Sequence, residues 1–225
     1  MLPLANAQTG NCKVLFKKAF EEFREPTGDA YALAYTMEST SRDDMVKLDK
    51  VLIKMKGSRT YMQTEANQVY KDAESTVFID DVRKLIFITK VDSKNIDDAG
   101  IQSMLQMQDS LLNSNQGMTC NVTENELGGD KKIIAFDESN SVVKSMGLNK
   151  LKYHIDLKSG ELKTVELLYP KSGQLKSVVV SFDHYDKEFA GEVFNGPALA
   201  KVFDSLGELH SPYTDYRVID KLSHN

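Results

Sequence analysis

The chain has 225 residues, is 41% hydrophobic and 27% charged, and carries a net charge of −5. This is the profile of a globular protein able to bury a sizeable core. Lys and Arg are scattered among acids, which argues against nucleic acid as a partner, since phosphate binding needs a concentrated basic surface. No apolar stretch approaches the ~20 residues of a membrane-spanning helix.

The first eight residues, MLPLANAQ, read as the tail of a secretory signal: Leu2 and Leu4 are apolar, and Ala5 and Ala7 fit a cleavage site of small residues. Residues 1–10 are accordingly assigned to a signal-peptide remnant or a disordered start, and the protein is expected to be exported. Cys12 and Cys120 are the only cysteines. In an oxidising compartment they can close one disulfide, or they can stay as separate buried thiols; their spacing does not decide between the two.

An amphipathic helix is predicted over 11–24. Cys12, Leu15, Phe16, Ala19, Phe20 and Phe23 share one face, and Pro26 and Gly28 end the helix. The period then drops to two. Tyr31, Leu33, Tyr35 and Met37 alternate with smaller residues as one face of a strand. Residues 46–57 form a second long strand. There Val46 and Leu48 have one parity and Val51, Ile53 and Met55 the other, which calls for a bulge near Asp49. RTYMQTEA, ESTVFI and KLIFITKV continue the strands. A helix returns over 97–112, with Ile101, Met104, Leu105, Gln108, Leu111 and Leu112 on one face. MTCNVTE and KKIIAFD are strands, and a short helix near 141–146 stops at Gly147.

KSGELKTV at 158–165 is echoed by KSGQLKSV at 171–178. Around the first copy the large apolar residues are Leu151, Tyr153, Ile155 and Leu157, then Val165, Leu167 and Tyr169. All are odd-numbered, so antiparallel partners must sum to an even number. A three-residue loop with Gly160 left-handed supplies that register. The echo is read as two successive hairpin turns rather than a repeated binding loop. A third long helix is expected from Pro197 to Gly207, with Leu199, Val202, Phe203 and Leu206 as its buried stripe. A last strand covers TDYRVIDK.

Signs of catalysis are absent. His154 and His184 are not expected to share a metal, and no H-E-x-x-H or paired C-x-x-C occurs. Ser141-Val142-Val143-Lys144 matches S-x-x-K without its supporting motifs, so it reads as a helix start. No enzyme, metal or cofactor is expected.

YALAYTMEST, the run KGSRTYMQTEANQVYKDAESTVFIDDVRKLIFI, and IDLKSGELKTVELLYPKSGQLKSVVVSFDHY resemble the outer-membrane lipoprotein-sorting (LolA/LolB-like) proteins over residues 11–190. The resemblance implies an α+β fold, mainly antiparallel. It would be an incompletely closed β-barrel of about ten strands, with helices over its concave face. No linker-like tract divides the chain, so a single domain is expected over 11–225. The resemblance also implies a periplasmic monomer whose hydrophobic cavity holds a lipoprotein acyl chain or other lipidic ligand under a lid including 97–112. Tyr35, Met37, Ile53, Met55, Met104 and Leu105 would line that cavity. The alternative is an envelope structural or sensing protein whose interior is filled and whose partner is another envelope protein. Residues 30–41 lack the arginine by which carriers hold the lid, and the chain has no tryptophan. The family offers no counterpart to the tail 191–225.

Overall fold

The computed structural model describes residues 12–21, 30–91, 101–114, 116–124 and 130–222. Its strands are β1 (Ala30–Ser41), β2 (Val46–Lys56), β3 (Arg59–Gln63), β4 (Asn67–Lys71), β5 (Ser75–Asp80), β6 (Leu85–Lys90), β7 (Met118–Glu124), β8 (Asp130–Asp137), β9 (Lys150–Asp156), β10 (Leu162–Leu168), β11 (Leu175–Asp186) and β12 (Arg217–Asp220). Helix α1 covers 12–21, α2 Ile101–Asn113 and α3 Ser141–Ser145. The twelve strands form one sheet in the order β12-β6-β5-β4-β3-β2-β1-β11-β10-β9-β8-β7, with β12 and β7 as its ends. The sheet is therefore open and mostly antiparallel, as expected, with two strands more than the ten foreseen. The chain divides into two compact units. One takes residues 1–25, 36–48 and 98–183, the other 26–35, 49–97 and 184–225.

In the first unit, the amphipathic pattern of α1 becomes its packing. Cys12, Phe16, Ala19 and Phe20 are buried, while Lys17, Lys18 and Glu21 are exposed. Phe16 lies 4.7 Å from the Tyr153 ring, 5.1 Å from Phe20 and 5.5 Å from Phe136. Such edge and tilted pairs add about 0.5–1.5 kcal/mol each beyond burial. The sheet presents Ile134, Tyr153 and Val165 in one cross-strand line and Phe136, Leu151 and Leu167 in the next. Cys120 pairs with Ile134 on this face and is bonded to Cys12, which settles the open cysteine question. Gln108, Leu111 and Leu112 of α2 are buried in the same unit, and the Gln108 amide donates to the Phe16 carbonyl at 3.5 Å. The C-terminal half of the expected lid is thus part of a core. Residues 97–100, and the side chains of Met104 and Leu105, lie outside the described residues. In α3 the cap is Asn140, whose side chain accepts from the Val142 amide at 3.0 Å, with Gly147 left-handed at the far end.

Around the first Lys-Ser-Gly turn the odd-on-odd pairing holds, Tyr153 with Val165 and Leu151 with Leu167, but a three-residue loop does not supply it. Gly160 is left-handed with φ 77°, yet Ile155 pairs with Leu162, odd on even, and the Asp156 amide donates to the Glu161 carbonyl across four residues; the one-residue shift between Leu162 and Thr164 restores the parity. Asp156 organises the turn by accepting from the Lys158 and Ser159 amides at 2.9 and 2.7 Å. The second copy is also a hairpin, but of another kind. Leu167 pairs with Val178, odd on even, and Gly173 is not left-handed. That turn is held from outside: the Arg42 guanidinium donates to the carbonyls of Tyr169 and Pro170, both at 2.7 Å.

In the second unit, register assigns each side chain to a face. Val77, Ile79, Ile86 and Ile88 share one face and are fully or almost fully buried. The C-terminal segment covers them with Ala198, Val202 and Tyr216. Asp72 holds this cover by accepting the Ala198 amide at 2.6 Å. Tyr216 donates to Asp81 at 2.7 Å and accepts from Lys84 at 3.2 Å. The tail without a family counterpart is therefore half of a core.

Several expectations are corrected here. The long helix over 197–207 is absent; only a 3-10 turn at Ala198–Lys201 forms. Asp204 ends it by accepting the amides of Leu206 and Glu208, and Leu206, assigned to the buried stripe, is 83% exposed. β12 pairs with β6 in parallel, not antiparallel. RTYMQTEA is broken by a turn in which the Thr64 hydroxyl accepts the Ala66 and Asn67 amides, which creates β4 as an unforeseen strand. Val46 and Leu48, whose parity differs from that of Val51, Ile53 and Met55, are 60% and 52% exposed.

Candidate functional site

The face of the second unit opposite the C-terminal cover carries the site. Strand pairing places Ile53 beside Met62, Met62 beside Val69, Val69 beside Phe78, Phe78 beside Phe87, and Phe87 beside Ile219. These six apolar side chains cross six strands in one unbroken line, and each is half-buried. At the usual strand spacing the line is roughly 24 Å long. The Phe78 and Phe87 rings are 6.0 Å apart. Apart from Ile219, which extends the line, the C-terminal residues Ala198, Val202 and Tyr216 pack on the other face, against Val77, Ile79, Ile86 and Ile88.

Met55 and Thr60 pair beside this line. Tyr31 on β1 donates its hydroxyl to the Met55 sulfur at 2.6 Å, and its ring lies 5.9 Å from Tyr185. Tyr35 follows Tyr31 at strand period and is half-buried; burial raises its phenol above the ordinary value. Of the residues singled out from the sequence, Ile53, Met55 and Tyr35 belong to this unit. Met37 falls on β1 in the other unit, as do Met104 and Leu105 on α2. Sequence reading left out Val69, Phe78, Phe87 and Ile219. A signal for Phe78 and Phe87 was present: Val77-Phe78-Ile79 and LIFI (85–88) are apolar at consecutive positions, so both faces of β5 and β6 avoid water.

The six side chains of the line carry no titratable group. The line can remove an apolar chain from water, but it cannot transfer protons. Other polar clusters have structural partners. Lys152 and Glu166 pair at 2.9 Å, and His154 lies 3.5 Å from Glu166. Burial first, then the Lys152 and Lys131 charges, lower the His154 pKa against the opposing pull of Glu166. Burial acts to raise Asp72, but hydrogen bonds from Ala198, Ser75 and Glu74 outweigh it and hold the carboxyl low. A recess lined by Arg59, Asp72 and Lys201 measures about 10 Å³, room for about one water. Ser141 and Lys144 are both exposed on α3. Among the described residues no group of three or more His, Cys, Asp or Glu could hold a metal ion, and no helix is long and apolar enough to cross a membrane.

No protein-family profile matches the chain, and no curated protein matches it. Solved structures do. An uncharacterised conserved protein from Thermus thermophilus is 5% identical, covering 94% of this chain and 99% of its own, with a TM-score of 0.44. A LolA superfamily protein from Nitrosomonas europaea is 9% identical over 82% of this chain and 97% of its own, with a TM-score of 0.32. A putative outer membrane lipoprotein-sorting protein domain from Vibrio parahaemolyticus is 10% identical over 76% and 92%, with a TM-score of 0.30. Structures of the lipoprotein-sorting kind are thus among those similar to this chain.

Proposed function

We propose that the protein is a non-catalytic binding protein of the periplasm, acting as a monomer. It takes an acyl chain of a lipoprotein or another lipid along the apolar line of its second unit. The observation that carries this reading is the unbroken register of six half-buried apolar side chains from Ile53 to Ile219, on the face that the C-terminal segment leaves to other contacts. Each methylene taken from water contributes about 0.8 kcal/mol. Ten of them offer about 8 kcal/mol, the micromolar scale before ordering costs. Ile53 and Met55 keep their assigned role. Met62, Val69, Phe78 and Phe87 join them, and Tyr35, Met37, Met104 and Leu105 remain candidates. The Cys12–Cys120 disulfide supports export to an oxidising compartment.

A second reading has its own support. The space beneath α1 is filled by Phe16, Phe20, Phe136 and Tyr153, as in a structural or sensing protein that binds another envelope protein. Native mass spectrometry of protein purified from its own envelope separates the two. A co-purifying lipid mass, and uptake of a fluorescent fatty acid that Met62→Lys/Phe78→Lys abolishes, are expected of the carrier. No lipid and no uptake would move the assignment to the second reading.

A further inference from the structure

A different surface, in the first unit, is built to meet something outside the protein. All seven residues from Arg42 to Leu48 are exposed, and so are all six from Lys171 to Lys176. In an ordinary strand alternate residues are covered. Val46, Lys47 and Leu48 are exposed on both faces, so this end of β2 stands clear of the packing around it. Met45 is 67% exposed, Val46 60%, Leu48 52% and Leu175 37%.

The two hairpin tips are fastened together. The Arg42 amide donates to the Gln174 carbonyl at 2.9 Å. Its guanidinium holds the Tyr169 and Pro170 carbonyls, and Lys176 donates to Asp44 at 2.7 Å. Ser41 donates to the Met45 carbonyl at 3.1 Å and fixes the turn from within. The apolar side chains are thus displayed on an ordered platform, and little ordering entropy remains to oppose docking. Charge is also concentrated here. Residues 41–48 and 169–176 hold Arg42, Lys47, Lys171 and Lys176 against Asp43 and Asp44, a positive surplus within a chain of net charge −5.

We propose that these paired tips dock the protein on an anionic lipid bilayer. Met45, Val46, Leu48 and Leu175 enter the interface, and the net positive charge of the two tips, with Lys171 on the exposed 171–176 turn, faces the headgroups. A bilayer suits the surface better than a protein does. Two hairpin ends offer too little area for the ~800 Å² per partner of a stable protein interface. Their exposed side chains are aliphatic rather than the aromatic anchors that dominate such interfaces. A bilayer asks only for apolar insertion and positive charge. The proposal stands on residues apart from the acyl-chain line and does not depend on it.

The test is flotation of the full chain with vesicles of phosphatidylcholine mixed with phosphatidylglycerol, and with phosphatidylcholine alone. Binding is expected to the mixed vesicles only, and it should weaken as salt rises. Val46→Asp/Leu48→Asp and Lys47→Glu/Lys171→Glu should each reduce it by about tenfold or more. Thermal melts should not change, because the substituted side chains are exposed, and fatty-acid uptake should be untouched. Equal binding by the variants, binding indifferent to lipid charge, or capture of a protein at the tips without vesicle binding would each overturn the proposal.

Discussion

Replacing Tyr153 with phenylalanine should make the protein more stable. Tyr153 is fully buried among Phe16, Phe20 and Phe136, and its hydroxyl has no hydrogen-bond partner among the described residues. A buried hydroxyl without a partner costs about 1–3 kcal/mol. Burial accordingly pushes its phenol well above the ordinary range. Deleting the oxygen removes that cost and leaves a gap worth only a few tenths of a kcal/mol at ~24 cal/mol per Å³. The net gain is about 1–2 kcal/mol, or roughly 2–8 °C in Tm for a chain of this size. The control is Tyr61→Phe. Tyr61 is also buried, but its hydroxyl donates to the Gln63 side chain at 2.9 Å, so that change should cost about 0.5–1.5 kcal/mol. Scanning calorimetry of the two variants beside the parent decides the matter. A Tyr153→Phe protein that melts lower than the parent would refute the reasoning, because the hydroxyl would then be making a bond worth keeping.

Three further outcomes are expected. Replacing Cys12 and Cys120 by alanine opens a loop spanning 108 residues, which should lower stability by up to about 4.8 kcal/mol in urea unfolding; a loss below about 1 kcal/mol would show that the bond constrains little. Ile79→Ala, in the covered core, should cost about 2–5 kcal/mol, whereas Phe78→Ser, one residue away on the half-buried line, should cost less yet abolish fatty-acid uptake; the reverse ranking would mean that the faces are misassigned. His154, with its pKa held below the ordinary 6.5, takes up a proton more readily when unfolded, so its contribution favours the folded state above 6.5 and is lost as pH falls below that value towards the folded pKa. His154→Gln should therefore flatten the stability profile in that window, and an unchanged profile would remove His154 as the cause.

Local periodicity made much of this fold legible. The spacing of Cys12, Phe16, Ala19 and Phe20 predicts the buried stripe of α1, and odd-on-odd parity predicts the pairing of Tyr153 with Val165. What escaped the sequence depended on distant partners. Residues 197–207 carry a helical period, but the side chain of Asp204 takes the amides that would continue the helix, and Val202 is drawn into the β5–β6 core. The second Lys-Ser-Gly is spelled like the first, yet Arg42, over a hundred residues earlier, supports a different turn. The candidate line was half visible. Ile53 and Met55 stood out by parity and Met62 as an apolar strand residue, but joining them to Phe78 and Phe87 requires register across four strand pairs, which no single segment encodes.

A photoreactive fatty acid, crosslinked to the protein and mapped by peptide mass spectrometry, reports most directly on what the β2–β6 surface is for. The account predicts adducts on Ile53, Met62, Val69, Phe78 or Phe87, competed away by unlabelled fatty acid, and none on Val77, Ile79, Ile86 or Ile88. Adducts confined to the unit that holds α1, or no saturable labelling at all, would contradict it.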